Sequence, residues 1–123
     1  MKAPQLGFVL LFVADPLKSS VFYCRLLGLQ AVEQSPTFAM FALQGGVMLG
    51  LWSHKTAEPP VKAGGGGSEI AFSEEDVDQL YKKWVDMGIP MAQAPTDMDF
   101  GRTFVALDPD GHRIRVYRMK EEA

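Results

Sequence analysis

The chain has 123 residues, enough to bury one apolar core without disulfides or metal ions. Its net charge of -3 gives no general attraction to nucleic acid or anionic membranes, so neither is expected as a partner. Cys24 is the only cysteine, which excludes an intramolecular disulfide. The apolar segment 6–13 is too short to span a membrane and lacks a cleavage site. We therefore expect a cytoplasmic protein.

The first half of the chain predicts a strand, a helix and then three strands. Residues 5–13 are almost all apolar, which is typical of a strand buried on both faces. Asp15 and Pro16 have the chemistry of a helix N-cap and first turn, and Gly28 that of a left-handed C-cap. The apolar stripe of this helix is assigned to Leu17, Val21 and Cys24, widened by Phe22, Leu26 and Leu27.

The next segments predict a short strand and a hairpin, followed by a linker. The strand covers residues 30–34, and the hairpin strands cover 38–43 and 47–52. Residues 53–68 contain two adjacent prolines and four consecutive glycines and offer little apolar area to bury. We therefore interpret the chain as a single domain of two modules, at about 1–53 and 69–123, joined by a linker at about 54–68.

The second half repeats the order of the first. A strand at 69–72 is followed by the capping signature Ser73–Asp76 and a helix with a clear apolar face. The helix ends at Gly88, a short strand covers 90–93, and a loop leads to a final hairpin. The apolar face of the helix contains Val77, Leu80, Tyr81, Trp84 and Val85. The loop is predicted to pass through Pro95, Asp97 and Asp99.

The final hairpin turns at Asp108-Pro-Asp-Gly111, where proline and glycine suit a tight turn. After the turn, Ile114 and Val116 alternate with polar residues, which predicts a strand with one face on a core. The order β-α-β-β-β therefore occurs twice, and such a repeat constrains the fold more than any single element does. Each sheet has a helix on one face, and its other face needs a different cover.

These features resemble the vicinal oxygen chelate superfamily, which includes glyoxalase I, extradiol dioxygenases and bleomycin-resistance proteins. The resemblance rests on the paired modules, on segment 100–104 and on the turn motif at 108–116. Within the superfamily these pieces are most similar to phenazine antibiotic resistance proteins. The resemblance implies an α+β fold in which two βαβββ modules form a curved half-barrel sheet. It also implies a homodimer in which each cavity is completed by the partner chain.

The superfamily's enzymes use four strand positions as metal ligands, and the resemblance maps these positions onto this chain. The first falls on Phe8, the second near Met48 or Gly50, the third on Glu69 and the fourth on Arg115. Phenylalanine cannot coordinate, arginine is a permanent cation and methionine is too soft for hard divalent ions. One carboxylate is not a metal site, so we expect no metal, no cofactor and no metal-dependent chemistry.

Two compatible alternatives stay open for Glu69 and Arg115: they form a salt bridge in place of a metal site, or Arg115 also holds a carboxylate or ring oxygen of a ligand. His54 and His112 are interpreted as solvated or turn residues, so no catalytic residue is assigned. Phe100, beside a loop, is either a lid over the cavity or an anchor of the loop.

Aromatic residues follow period two on the first and fourth strands, where they form either core or a ligand-binding face. The alternate positions already supply a core, and Gly50 is expected to leave space beside Trp52 for a flat ring. The candidate ligand-binding residues are Phe8, Phe12, Met48, Trp52, Glu69, Met98, Phe100 and Arg115.

The sequence thus predicts a protein that binds and sequesters a planar aromatic molecule, such as a phenazine-type antibiotic, without changing it. Two other interpretations stay open. One is an enzyme that acts without a metal, or with one supplied unconventionally, for example as a lyase or isomerase; the other is a dimeric scaffold whose cavity is filled by its own side chains. The glycine-rich linker also leaves exchange of modules between partner chains possible.

Overall fold

The computed structural model describes residues 2–62 and 64–121. The chain divides into two compact units, unit 1 (residues 1–64) and unit 2 (residues 65–123). Among the described residues, each unit contains one α-helix and one four-stranded mixed sheet, which confirms the α+β class and the repeated βαβββ order. No helix in the described ranges is long and apolar enough to cross a bilayer.

Unit 1 forms a sheet of strand order β1-β4-β3-β2, with β1 parallel to β4 and the other neighbours antiparallel. Both of its first two strands begin three residues later than predicted. Only one face of β1 is buried, so the prediction of a strand buried on both faces is wrong. The elements are β1 (Phe8–Val13), α1 (Pro16–Leu27), β2 (Glu33–Gln34), β3 (Phe38–Ala42) and β4 (Met48–Ser53).

The ends of α1 are as predicted, and Leu26 is buried as expected, but most of the predicted stripe is misplaced. The Asp15 side chain accepts hydrogen bonds from the first-turn amides, and Gly28 adopts φ 68° at the C-cap. Leu17 and Val21, assigned to the stripe, are 43% and 60% exposed. The buried positions are Pro16, Ser19, Ser20, Tyr23 and Leu26. Serine is small enough to bring the helix close to the sheet, and the Ser20 hydroxyl accepts a hydrogen bond from Gln34, so a count of apolar residues misplaces the face.

Both ends of the predicted linker are held by backbone hydrogen bonds. After β4, the His54 amide donates to the Val13 carbonyl at 3.0 Å, and Ala57 is buried within unit 1. In unit 2, the Gly65 amide donates to the Asp110 carbonyl at 3.1 Å. A Cβ at Gly65 would collide with the backbone of Gly111, so only glycine allows this approach. Hydrogen bonds, which the composition does not reveal, therefore order these segments.

Unit 2 forms a sheet of strand order β5-β8-β7-β6, in which β5 is parallel to β8. In the terminal turn the Asp108 side chain accepts the amides of Asp110 and His112, and Gly111 adopts φ 82°. This confirms the predicted turn. The elements are β5 (Glu69–Ser73), α2 (Val77–Asp86), β6 (Met91–Met98), β7 (Gly101–Leu107) and β8 (Arg113–Met119).

Two predictions in unit 2 are wrong. The N-cap of α2 is Asp76, whose side chain accepts from the Gln79 amide, and not Ser73, because Ser73 is still paired with Tyr117 in the sheet. The predicted loop after residue 93 is instead the second half of β6. Pro95 is tolerated there because β6 is an edge strand and its register shifts between Gln93 and Thr96.

Gly101 begins β7 at φ 147°, and a Cβ there would collide with the carbonyl oxygen of Arg118 on β8. We predict that Gly101→Ala lowers the free energy of unfolding by at least about 2 kcal/mol, through backbone strain and this collision. Gly67→Ala is the control, because Gly67 has no atom within 4 Å of a built Cβ and no positive φ. Urea unfolding followed by circular dichroism measures both, and equal stability of the two variants would contradict the prediction.

Candidate functional site

The sheet of unit 1 has an apolar face that α1 does not cover. We call this the aromatic face. Strand register places Trp52 in one row with Phe12 and Phe38 on its two neighbouring strands. The ring centroids of Phe12 and Trp52 are 5.9 Å apart, with the rings tilted by 35°. The aromatic face consists of Phe8, Leu10, Phe12, Phe38, Met40, Ala42, Met48, Gly50 and Trp52.

The opposite face of the same sheet is the core of unit 1. Its residues are at most 7% exposed, whereas Phe8 and Leu10 on the aromatic face are 44% and 41% exposed. The aromatic face is therefore a second apolar surface, separate from the core of unit 1. The buried set is Leu11, Val13, Ala39, Phe41, Leu49 and Leu51.

Gly50 does not leave the empty space that the sequence led us to expect. A Cβ built there would lie 2.5 Å from Cδ2 of Leu10 and 3.1 Å from the ring of Phe38. These two side chains cover the glycine from neighbouring strands, so the expectation of an open slot beside Trp52 is wrong. The glycine instead lets Leu10 and Phe38 lie flat against the sheet.

The structure brings together four of the predicted ligand-binding residues. Phe8 is paired in register with Met48, and Phe12 with Trp52. The prediction missed Phe38 and Met40, which lie on the same face of β3. The period-two pattern Phe38, Met40 and Ala42 on a strand paired with β4 is the signal that could have found them.

Glu69 and Arg115 also come together, as predicted, on the face of the unit 2 sheet opposite α2. The Arg115 Nε donates to Glu69 Oε1 at 2.5 Å, and the Arg113 Nε donates to Glu69 Oε2 at 2.9 Å. Arg113 was not predicted to take part, although its position two residues before Arg115 places it on the same strand face. One carboxylate therefore contacts two guanidinium groups.

The guanidinium of Arg115 also links β8 to β6 and β7. Its Nη1 donates to the Thr103 hydroxyl at 3.1 Å and to the Gln93 amide oxygen at 3.4 Å. Its Nη2 lies 3.5 Å from Glu69 Oε2, so all three nitrogens have partners. The side chain is only 16% exposed. These contacts favour the salt-bridge alternative for Arg115.

The pKa of Glu69 is lowered from its ordinary value of 4.5. The main cause is the hydrogen bond from Arg115, and the positive charges of Arg115 and Arg113 act in the same direction, while burial opposes them. Glu69 therefore stays ionised at neutral pH and is held as the anion of an ion pair.

The residues at the superfamily's metal-ligand positions do not fit a divalent cation. Phe8 has no donor atom, and both oxygens of Glu69 are taken by arginines. Arg115 would place a positive charge at the fourth position. Across residues 2–62 and 64–121, no three His, Cys, Asp or Glu side chains lie close enough to hold a metal ion.

Met98 and Phe100 lie at the other end of the unit 2 sheet. Met98 pairs with Gly101, and the row of Thr103 and Tyr117 separates this end from Arg115. Met98 lines a surface pocket of about 550 Å³ whose other lining residues are mostly charged. Phe100 is half-buried in the turn before β7, and its carbonyl accepts the Lys120 amide at 2.6 Å. Gln93, whose amide oxygen accepts from Arg115, also donates through Nε2 to the Met98 sulfur at 3.8 Å, so one side chain links Met98 to Arg115. Phe100 lies beyond the row of Thr103 and Tyr117, at the other end of the sheet.

The fold and these strand positions define the class of protein. Residues 5–116 match the Glyoxalase/Bleomycin resistance protein/Dioxygenase superfamily, and the chain belongs to it. The predicted resemblance is thereby confirmed.

Three relatives are informative. The chain is 34% identical to the phenazine antibiotic resistance protein EhpR of Enterobacter agglomerans over 114 residues, covering 87% of this chain and 86% of that protein. It is 45% identical to an Agrobacterium tumefaciens protein solved by solution NMR, with a TM-score of 0.88 and coverage of 97% and 100%. The crystal structure of TnmS3, an antibiotic-binding protein from Streptomyces sp. CB03234, shares the fold, with a TM-score of 0.76, 22% identity and coverage of 98% and 99%.

The Glu69 ion pairs make stability depend on pH. Because the folded-state pKa is lowered, their contribution is present above about pH 4.5 and is lost as the pH falls through the folded-state pKa. We predict that Glu69→Gln lowers the unfolding free energy at pH 7 by about 1 kcal/mol or less, since the groups are partly exposed, and that the difference from wild type shrinks below pH 4.5.

Thermal unfolding from pH 3 to pH 7 measures the difference in stability between Glu69→Gln and wild type. This range brackets 4.5, the ordinary pKa of a glutamate side chain. Glu33→Gln is the matched control, because Glu33 is exposed and makes no ion pair among the described residues. A Glu69→Gln effect that stays constant with pH would contradict the assignment.

Proposed function

We propose that this protein binds a planar aromatic antibiotic of the phenazine type and confers resistance by sequestering it. The proposal rests on one observation: the aromatic face is an apolar surface that is not part of the core of unit 1. The similarity to EhpR over most of both chains supports the same class of ligand.

The chemistry of the aromatic face suits a flat, apolar ring system. The row of Phe12, Trp52 and Phe38 offers π-surfaces, each worth roughly 0.5–1.5 kcal/mol in a well-placed ring contact beyond the area buried. Met40 and Met48 add flexible, polarisable side chains that adapt to a ligand edge. Stacking on Trp52, with Phe8 at the other end of the face, is the binding mode we propose.

The same composition supports binding without chemical conversion. The side chains of the aromatic face are phenylalanine, leucine, methionine, alanine and tryptophan, and none of them is an acid, a base or a nucleophile. A ligand held there meets no group that could transfer a proton or form a covalent bond. We therefore propose that the protein releases its ligand unchanged.

We predict that phenazine binds wild-type protein saturably and that Trp52→Ala weakens binding about tenfold or more, since a stacking surface is lost. Isothermal titration calorimetry measures both affinities, and quenching of tryptophan fluorescence provides a second signal. Val21→Ala is the control, because Val21 is an exposed apolar residue on α1, away from the aromatic face.

Three outcomes discriminate between the interpretations. Saturable binding with full recovery of phenazine by chromatography supports sequestration. Consumption of the ligand would support the lyase or isomerase interpretation instead. No saturable binding to wild type by any of a panel of aromatic antibiotics would overturn the proposal and leave the scaffold interpretation.

The homodimer is a further part of the proposal, supported by the resemblance to bleomycin-resistance proteins. We predict that sedimentation velocity gives twice the chain mass of 13.6 kDa at micromolar concentration. Ligand binding should show one site per chain, with two equivalent sites per dimer. A species that stays at the single-chain mass across a broad concentration range would contradict this prediction.

A further inference from the structure

The aromatic face of unit 1 has a charged residue at its edge. Glu33 of β2 is directly opposite Met40 of β3 in an antiparallel pair. Residues that are opposite each other in such a pair have their side chains on the same face of the sheet. Met40 is in turn opposite Gly50, and Gly50 is opposite Leu10. Glu33 therefore continues one row of the aromatic face onto the edge strand.

The residue after Glu33 gives an independent check of this orientation. Gln34 is opposite Ala39, which is buried in the core of unit 1. Its Nε2 donates to the Ser20 hydroxyl of α1 at 2.7 Å, so the Gln34 side chain points to the face that α1 covers. Successive side chains of a strand point to opposite faces, which places the Glu33 side chain on the aromatic face.

Glu33 is the only charged residue in the four strands of unit 1. The other strand residues are apolar, apart from Gln34 and Ser53. Glu33 is exposed, and within residues 2–62 and 64–121 its carboxylate makes no hydrogen bond or ion pair. The aromatic face therefore has one negative charge at its β2 edge, and this charge has no partner from the described part of the chain.

The carboxylate is within reach of a ring stacked on the aromatic row. Phe38 and Ala42 are the diagonal neighbours of Glu33 across the β2–β3 pair. Such neighbours lie about 7–8 Å apart, which long side chains can bridge. Phe38 is also opposite Trp52 on the next strand. A three-ring compound that lies over Phe38 and Trp52 would thus bring its edge, or a substituent, to the Glu33 carboxylate.

Aromatic rings and a carboxylate attract the same kind of ligand group. The face of an aromatic ring is electron-rich and attracts cations, most strongly in the case of tryptophan. A carboxylate pairs with a cationic nitrogen and accepts charge-assisted hydrogen bonds. Both groups repel an anion. The row of three rings and Glu33 therefore favour a positive charge on the ligand.

We propose that Glu33 makes the aromatic face selective for planar aromatic cations over neutral and anionic ring compounds. This inference rests on the proposed function and adds the charge of its ligand. The rings hold the ligand by stacking, and Glu33 contributes a negative charge at the edge of the stacking surface. Every residue that it uses belongs to the sheet of unit 1.

The test compares phenazine with the N-methylphenazinium cation, which has the same ring system and one positive charge, by isothermal titration calorimetry at low ionic strength. Wild type is expected to bind the cation about tenfold more tightly, because an ion pair and cation–π contacts are added. Phenazine-1-carboxylate, the anionic probe, should bind more weakly than phenazine.

Variants of Glu33 separate the effect of the charge from that of the added methyl group. Glu33→Gln should reduce the ratio of the two affinities about threefold, since the ion pair is lost and the cation–π contacts remain. Glu33→Lys, which reverses the charge, should reduce the ratio further. Glu58→Gln is the matched control, because it removes the same charge from an exposed residue outside the four strands of unit 1. It should keep the wild-type ratio.

Thermal unfolding checks that each variant is folded. Equal affinities of wild type for phenazine and the cation, or an unchanged ratio in Glu33→Gln, would overturn this inference alone. Failure of both phenazine and the cation to bind wild type would overturn the proposed function together with it.

Discussion

A four-stranded sheet has two faces, and a single helix can cover only one of them. This constraint governs the organisation of both units. In unit 1 the covered face contains buried aliphatic and aromatic residues, such as Leu11 and Leu49, and supplies the core. The other face is also apolar, although α1 does not cover it. A chain that maintains two apolar faces on one sheet needs something other than its own helix to cover the second face.

The two sheets share one topology but differ in what their open faces offer. In unit 1 the positions opposite the helix are hydrophobic, with a row of three aromatic rings. In unit 2 the corresponding side of β5 and β8 contains Glu69, Arg113 and Arg115, and a buried threonine supports the last of these. The repeat thus carries an apolar, aromatic surface in unit 1 and an ion-paired surface in unit 2. At the positions where the resemblance to the superfamily places metal ligands, Phe8 and Arg115 cannot coordinate a cation.

Much of this arrangement could be predicted from the sequence, because it depends on local chemistry. The capping residue Asp15, the turn at Asp108–Gly111 and the alternation of Ile114 and Val116 all carry short-range signals. The prediction failed where tertiary context decides. The stripe of α1 was misplaced because two serines are buried there, and β6 was missed because an edge strand tolerates Pro95.

The candidate site was likewise predictable only in part. Period two placed Phe8, Phe12 and Trp52 on one face, but the contribution of Phe38 depends on the register of β3 against β4. The contact of Arg113 with the Glu69 carboxylate, beside Arg115, depends on side-chain geometry, and hydrogen-bond partners cannot be read from a sequence. Met98 is linked to Arg115 through the side chain of Gln93, whereas Phe100 lies beyond the row of Thr103 and Tyr117, and neither relation can be read from a sequence.

The most direct test of the account compares the methyl groups of two adjacent leucines. Leu10 lies on the aromatic face and is 41% exposed, whereas Leu11 lies in the core and is 7% exposed. Methyl NMR spectra recorded during titration with phenazine should show large ring-current shifts for Leu10 and small ones for Leu11. Saturable ligand binding that leaves the Leu10 methyls unshifted would place the ligand elsewhere and contradict the central claim that the aromatic face is the binding surface.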